Sequence, residues 1–234
     1  MNNFSHKILL ALILLSASVT SLAAQIAIIG TGSVANALGP RFAELGHEVI
    51  YGSRTPDSDS VKLLLAKTTN NSSAMTQPEA AKMADIIVLA VPWDVAEEVV
   101  LSLGDLSGKI IIDPINPRQV DEDGYADYPN SVSNAERIQR LAPTANVVKA
   151  FSTISANTMA DPSLHDHPIT IPIVGNDFQS KEFVMQLCLN LGFEVLDFGP
   201  VRFAHIIEGL YLLRRNARLN DDYFEWNYPT RTNN

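Results

Sequence analysis

An α/β fold with a doubly wound, mostly parallel sheet is the architecture this sequence predicts, and three observations point there. Short apolar runs alternate with segments of helical periodicity along most of the chain, the pattern of strands covered on both faces by helices. The first such run, Gln25-Ile26-Ala27-Ile28-Ile29, leads directly into the turn Gly30-Thr31-Gly32-Ser33-Val34-Ala35, which opens a helix. With 234 residues, 46% of them apolar, the chain is long enough to bury a substantial core in one domain without staples.

The elements follow in order. Ile26–Gly30 is a buried first strand, and Ser33–Leu45 a helix that Gly46 stops. Glu48–Gly52 is the second strand and Ser58–Thr68 a helix. Thr69–Thr76 is polar and reads as a loop, followed by a short helix at Gln77–Ala84. Asp85–Val91 is a strongly apolar third strand, Trp93–Leu103 a helix and Lys109–Asp113 the fourth strand. Pro114–Ser133, with Pro114, Pro117, Pro129 and the acidic run Asp121–Asp123, reads as a long surface loop, a class that is often functional. Asn134–Ala142 is a helix, and Val147–Phe151 and Ile169–Val174 are strands. Ser180–Leu191 is a helix ended by Gly192, Glu194–Phe198 a strand, and Arg202–Arg215 the last helix. The segments after Phe151 form a small C-terminal extension that closes with that helix. The tail, residues 216–234, is polar and aromatic, with an end expected to be disordered.

Composition narrows the function. A formal charge of −9 argues against a nucleic-acid partner, which would need dense Lys and Arg. The single cysteine, Cys188, excludes an internal disulfide and reads as a buried structural thiol. No Cys/His cluster has zinc spacing. His165 and His167 flank Asp166 in a proline-rich loop, more in keeping with a solvated turn than with a metal site.

Residues 1–24 read differently. Lys7 is their only formally charged side chain, the apolar stretch Ile8–Val19 is too short to span a bilayer comfortably, and Ser21, Ala23 and Ala24 follow. This pattern is a secretory signal peptide with cleavage after Ala23 or Ala24. It leaves no membrane span in the mature chain and places the protein in the periplasm or medium. An uncleaved tether is the competing reading. A wrong start or signal assignment would leave the protein cytoplasmic. The mature domain, residues 25–215, begins at the first strand.

The nucleotide reading rests on chemistry. Gly30 permits a tight turn out of the strand, Gly32 lets backbone approach a pyrophosphate, and Ala35 is small enough for the helix to pack on the strand. This is a Rossmann-type site. The second strand ends in Gly52-Ser53-Arg54, without the acid that would hold the ribose hydroxyls of NAD. Arg54 can pair with a 2′-phosphate and Ser53 can donate to it, which favours NADP. At the C-terminal edge of the sheet, Val91-Pro92 shapes a wall, Trp93 offers either a flat face or core packing, and Asn116 can bond a carboxamide or fix its turn.

At these residues the chain resembles the coenzyme F420-dependent NADP oxidoreductase family. The resemblance is carried by IAIIGTGSVANALGPRFAELGHEVIYGSR and, in order, by IIVLAVPWDVAEEVV, KIIIDPINP, NVVKAFSTISA, IPIVGND and LGFEVLDFGPVRFAHIIEGL, from about Gln25 to Leu213. The NADPH domains of STEAP-type ferric reductases belong to the same superfamily. The resemblance implies hydride transfer between NADP and a deazaflavin (F420) or flavin, that is, a small-molecule redox acceptor, and it allows a homodimer. It implies that Thr31, Gly32, Ser33 and Val34 form the pyrophosphate loop, Ser53 and Arg54 the 2′-phosphate pair, Val91 and Pro92 the wall beside a ribose, and Asn116 the asparagine of an Asn-Pro turn. Ser152 stands where the family usually has asparagine. Gly199-Pro200 and Glu208 match a family turn and helix.

Hydride transfer between two rings needs positioning and water exclusion more than proton transfer, so no catalytic acid or base is named. His205 and Glu208, one turn apart, could face one site, although a surface or capping role is the simpler reading. A non-catalytic NADP-binding or redox-sensing module is the alternative function. A reductase of the β-hydroxyacid or pyrroline-carboxylate type would need a large helical dimerisation domain, for which too few residues follow Phe151.

Overall fold

The computed structural model describes residues 23–68 and 71–229. Most of the expected signal segment, residues 1–22, therefore lies outside the described residues, as do 230–234 at the end of the tail. Among the described residues no helix is long and apolar enough to cross a membrane.

The main sheet has eight strands. Six run parallel: β1 (Gln25–Ile29), β2 (Glu48–Ser53), β3 (Ser72–Thr76), β4 (Ile86–Leu89), β5 (Ile110–Asp113) and β8 (Asn146–Lys149). β9 (Thr170–Gly175) joins β8 antiparallel, and β10 (Glu194–Asp197) pairs parallel with β9. Across the sheet the order is β3-β2-β1-β4-β5-β8-β9-β10, so the winding reverses between β1 and β4. Two further strands, β6 (Gln119–Val120) and β7 (Ala126–Asp127), form a small antiparallel hairpin.

Strand alternation splits the core into two layers. Ile26 and Ile28 point to one face, where they share a cluster with Leu38 and Phe42 of α1 (Ser33–Glu44) and Val184 and Leu187 of α7 (Phe178–Asn190). Ala27 and Ile29 point to the other, with Ala80 and Ala81 of α3 (Gln77–Met83), Val100 of α4 (Ala96–Ser102) and Ile138 of α5 (Asn134–Leu141). α2 (Asp59–Lys67) adds Leu64 to the first layer, and α8 (Ala204–Ala217) adds Ile207 to the second. Local signals set the helix ends. Ser133 and Glu136 form a reciprocal capping box at the start of α5, and Gly46 turns the chain at φ 89° after α1.

The fold class agrees with the sequence reading, and three details differ. Ser72–Thr76 is a strand, not loop. It is a half-buried edge strand paired to β2 alone, so backbone bonding, not an apolar pattern, defines it. The Pro114–Ser133 segment is not wholly irregular, because it contains the β6–β7 hairpin. β8 stops at Lys149, two residues early, because Phe151 takes a left-handed backbone at φ 63°. The tail packs back on the domain as far as it is described. Glu225 pairs with Arg214 at 3.0 Å with both side chains 4% exposed, and the Trp226 carbonyl accepts from Thr170 N at 3.2 Å.

Candidate functional site

Where the strand order reverses, the carboxyl ends of β1 and β4 part and leave a crevice. Two cavities of about 510 and 430 Å³ occupy it, and they share Gly32, Ala90, Val91 and Pro92, so they form one continuous cleft. Gly30, Thr31, Ser53 and Arg54 line the first half; Ser33, Val34, Trp93 and Asn116 line the second. Every residue expected at the nucleotide site is thus brought to this cleft.

The turn out of β1 explains its glycines. Gly30 has φ 109°, and a Cβ there would lie 2.2 Å from the Ala90 carbonyl oxygen, so no other residue fits. A Cβ on Gly32 would meet nothing within 4 Å, so the space above that residue is open to a ligand. Gly32 begins α1 without a side-chain cap, and the first turn carries no acid. The amide of Asn36 donates to the carbonyls of Thr31 at 3.2 Å and Gly32 at 3.0 Å. The loop's carbonyls are therefore satisfied from below, while the helix N-terminus keeps its uncompensated N–H groups and positive dipole end, the requirements for a pyrophosphate.

At the end of β2, the buried Ser53 hydroxyl accepts from Thr55 N at 3.1 Å, which leaves its own proton to donate. Arg54 is exposed and forms no ion pair among the described residues. A serine donor next to a free guanidinium fits a 2′-phosphate. Glu98 of α4 lines the same cavity, a contribution sequence reading missed because nothing local places α4 across from β2.

Asn116 is half-buried in the second cavity. Its Nδ2 donates to the Ser152 carbonyl at 2.7 Å, and its buried Oδ1 has no partner. Because a carbonyl only accepts, this bond fixes which way the amide points. The unpaired acceptor is the counterpart of a carboxamide N–H₂. The Ser152 carbonyl is presented by the left-handed Phe151, a buried non-glycine conformation costing on the order of 1–3 kcal/mol. The edge-on contact of Phe151 with Phe193, ring centroids 6.2 Å apart, helps to hold it.

Behind Asn116 lies a charge cluster that sequence reading only touched. Lys149 of β8 is fully buried, with Nζ 3.1 Å from Asp113 Oδ2 and 2.7 Å from Glu208 Oε1, and it also donates to the Ile115 carbonyl. Asp113 Oδ1 accepts from Ile115 N at 2.9 Å. Glu208 accepts from Asn134 N at 3.1 Å and from the Tyr128 hydroxyl. Both backbone groups of Ile115 are thereby anchored one residue before Asn116. Burial raises Glu208 above the usual carboxylate range, with Lys149 pulling it down and Asp113 pushing it up. Burial would lower Lys149, but its two carboxylates more than offset this and hold it raised. Burial and the Glu208 carboxylate also raise Tyr128.

Glu208 and His205 do not face one site. Glu208 is buried in this cluster, whereas His205 is exposed with its ring against the Arg202 carbonyl at 2.9 Å. His165 bonds Thr158 at 3.1 Å, and the described residues contain no metal-ligating cluster. Cys188 is buried, and burial raises its thiol.

A sequence profile described as NADP oxidoreductase, coenzyme F420-dependent, matches residues 25–117. The F420-dependent NADP reductase of Methanothermobacter thermautotrophicus is 30% identical over 213 residues, covering 84% of this chain and 90% of that protein. The chain belongs to the F420-dependent NADP oxidoreductase family. A crystal structure of a putative F420-dependent NADP reductase from an Arthrobacter species superposes on this family member with TM-score 0.77 at 28% identity, covering 84% of this chain and 93% of that one. The metalloreductase STEAP3 of Rattus norvegicus is 30% identical over 198 residues, yet the chain spans only 38% of its length. The family's description names NADP, and the cleft's lining offers a helix N-terminus for a pyrophosphate and a serine–arginine pair for a 2′-phosphate.

Proposed function

We propose that this family member passes hydride between NADP(H) and a flavin or deazaflavin ring. The observation that carries this reading is the unpaired Asn116 Oδ1 in the half of the cleft beyond the phosphate loop. An oriented acceptor there suits the carboxamide of a nicotinamide ring. Arg54 and Ser53 would hold the 2′-phosphate, the α1 N-terminus the pyrophosphate, and Val91 and Pro92 the wall between the two halves. When bound, NADPH supplies the hydride, and an oxidised flavin or deazaflavin takes it. Trp93, Pro114 and Ile115 give the second half of the cleft apolar surface that excludes water, and Asn116 orients the ring. No side chain needs to move a proton in that step.

The test mixes purified protein with NADPH and either a flavin or a deazaflavin and follows the reduced-nicotinamide absorbance. Turnover that requires both partners supports the reading. NADPH binding without loss of absorbance against any acceptor would instead identify a nucleotide-binding module.

A further inference from the structure

Lys149 is a buried cation that hydride transfer does not call on. Its side chain is fully buried and lines neither half of the cleft. An ammonium has three N–H donors. Here each has an acceptor: Asp113 Oδ2 at 3.1 Å, Glu208 Oε1 at 2.7 Å and the Ile115 carbonyl. No donor is left for a substrate, so Lys149 does not act on the reacting atoms directly. Net stability is a weak reason for it too, because apolar side chains of the same volume often serve a fold equally well in place of a buried ion cluster.

What the cluster does is fix one short stretch of chain. Lys149 holds the Ile115 carbonyl, and Asp113 Oδ1 holds the Ile115 N–H at 2.9 Å. Pro114 and Pro117 flank Ile115-Asn116, and their rings fix φ on both sides. Three residues beyond Lys149, the Ser152 carbonyl holds the Asn116 side chain at 2.7 Å. The end of β8 therefore grips Ile115-Asn116 twice, once by backbone and once by side chain. The carboxylates that hold Lys149 are themselves held. Asn134 Nδ2 lies 3.3 Å from both Asp113 oxygens, and Glu208 accepts from Asn134 N at 3.1 Å and from the Tyr128 hydroxyl. β5, β8, α5, α8 and the chain just after β7 thus meet one residue behind Asn116.

We infer that Lys149 is the positioning residue for the nicotinamide half of the site: its ammonium sets the Ile115 carbonyl, and through it the place and direction of the Asn116 acceptor. This rests on the proposed seating of the nicotinamide at Asn116. Lys149 touches no reacting atom and exchanges no proton in the transfer.

The test compares wild type, Lys149→Met/Glu208→Gln and Glu208→Gln. In the single variant the amide oxygen can still accept from Lys149 and Asn134 N, which makes it the conservative counterpart of the double variant. The readouts are NADP⁺ affinity by titration calorimetry, the fluorescence lifetime of the reduced nicotinamide in bound NADPH, and kcat and KM for NADPH with a deazaflavin. In the double variant NADP⁺ affinity should stay within about three-fold, because the phosphates carry it, while the lifetime moves towards that of free NADPH and kcat falls about ten-fold or more. Glu208→Gln should keep the wild-type lifetime and stay within about three-fold in kcat. A double variant that folds with the wild-type lifetime and kcat, whatever its melting temperature, overturns the inference. A wild-type lifetime equal to that of free NADPH overturns it as well. If the double variant does not fold, Glu208→Ala takes its place: Lys149 then loses one of its two carboxylates, a partial shift in lifetime is expected, and an unchanged lifetime overturns the inference. Wild type that binds NADPH but never oxidises it sinks the reductase reading and leaves the lifetime comparison to decide on Lys149.

Discussion

Asn116 donates its side-chain amide to the carbonyl of Ser152 at 2.7 Å, so the end of β5 and the end of β8 are tied at the mouth of the cleft. The tie leaves Asn116 Oδ1 as an oriented, unpaired acceptor. Asn116→Ala removes both the tie and the acceptor. It is expected to lower kcat/KM for NADPH oxidation by about 10- to 100-fold, as for one lost transition-state hydrogen bond, while NADP⁺ affinity, held mainly by the phosphates, changes less than ~5-fold. Steady-state kinetics with a parallel binding titration checks this, and unchanged kcat/KM would remove Asn116 from the site.

Arg54 is exposed and free of carboxylates, which fits a residue kept for a phosphate. Arg54→Glu should weaken NADP by roughly 10- to 100-fold and NAD by far less, with the NADP loss shrinking at high salt. Isothermal titration with both nucleotides measures it. Equal losses would mean that Arg54 does not meet the 2′-phosphate.

The phosphate loop and the second-strand ending were legible because they are local. Gly30, Gly32, Ser53 and Arg54 act through backbone geometry and residue type within a few positions of one strand end. The partners of Asn116 were not legible. Ser152 stands 36 positions away, and its carbonyl reaches Asn116 only because Phe151 adopts φ 63°, a conformation no residue-type signal marks. Glu208 looked like a surface residue one turn from His205, and only the packing of α8 against α5 and β7 shows it buried against Lys149. β3 was missed for the same reason, since an edge strand such as Ser72–Thr76 needs a neighbour rather than an apolar stripe.

The buried cluster makes stability depend on pH in a stated direction. Glu208 is raised above its ordinary value of 4.5, so the folded state holds its proton more tightly than the unfolded chain. Its contribution is fully present below that value and is lost as pH rises through the raised folded value. Glu208→Gln should therefore gain stability relative to wild type as pH rises from about 4.5 towards neutrality. Urea unfolding of both proteins across that range checks it; a relative gain by wild type would show that Lys149 wins over burial.

The start of β1 bears on the expected export signal. The Ala24 carbonyl accepts from Glu48 N at 3.0 Å, and Ala24 N donates to His47 Nδ1 at 3.2 Å. Cleavage after Ala23 keeps both groups, whereas cleavage after Ala24 removes them. If the leader is processed, the mature terminus is expected at Ala24, as read by N-terminal sequencing of exported protein; intact Met1 in the folded protein would remove the signal assignment.

The most direct test of hydride transfer follows the atom itself. NADPH deuterated at the nicotinamide C4, prepared in each of its two stereochemical forms, is incubated with the protein and a deazaflavin, whose acceptor is carbon and does not exchange with water. Mass spectrometry of the reduced deazaflavin should find the deuterium delivered from one form and not the other, because a cleft that fixes the carboxamide at Asn116 presents a single face of the ring. Reduced deazaflavin without deuterium from either form, or no reduction by a protein that binds NADPH, would contradict direct transfer in this cleft.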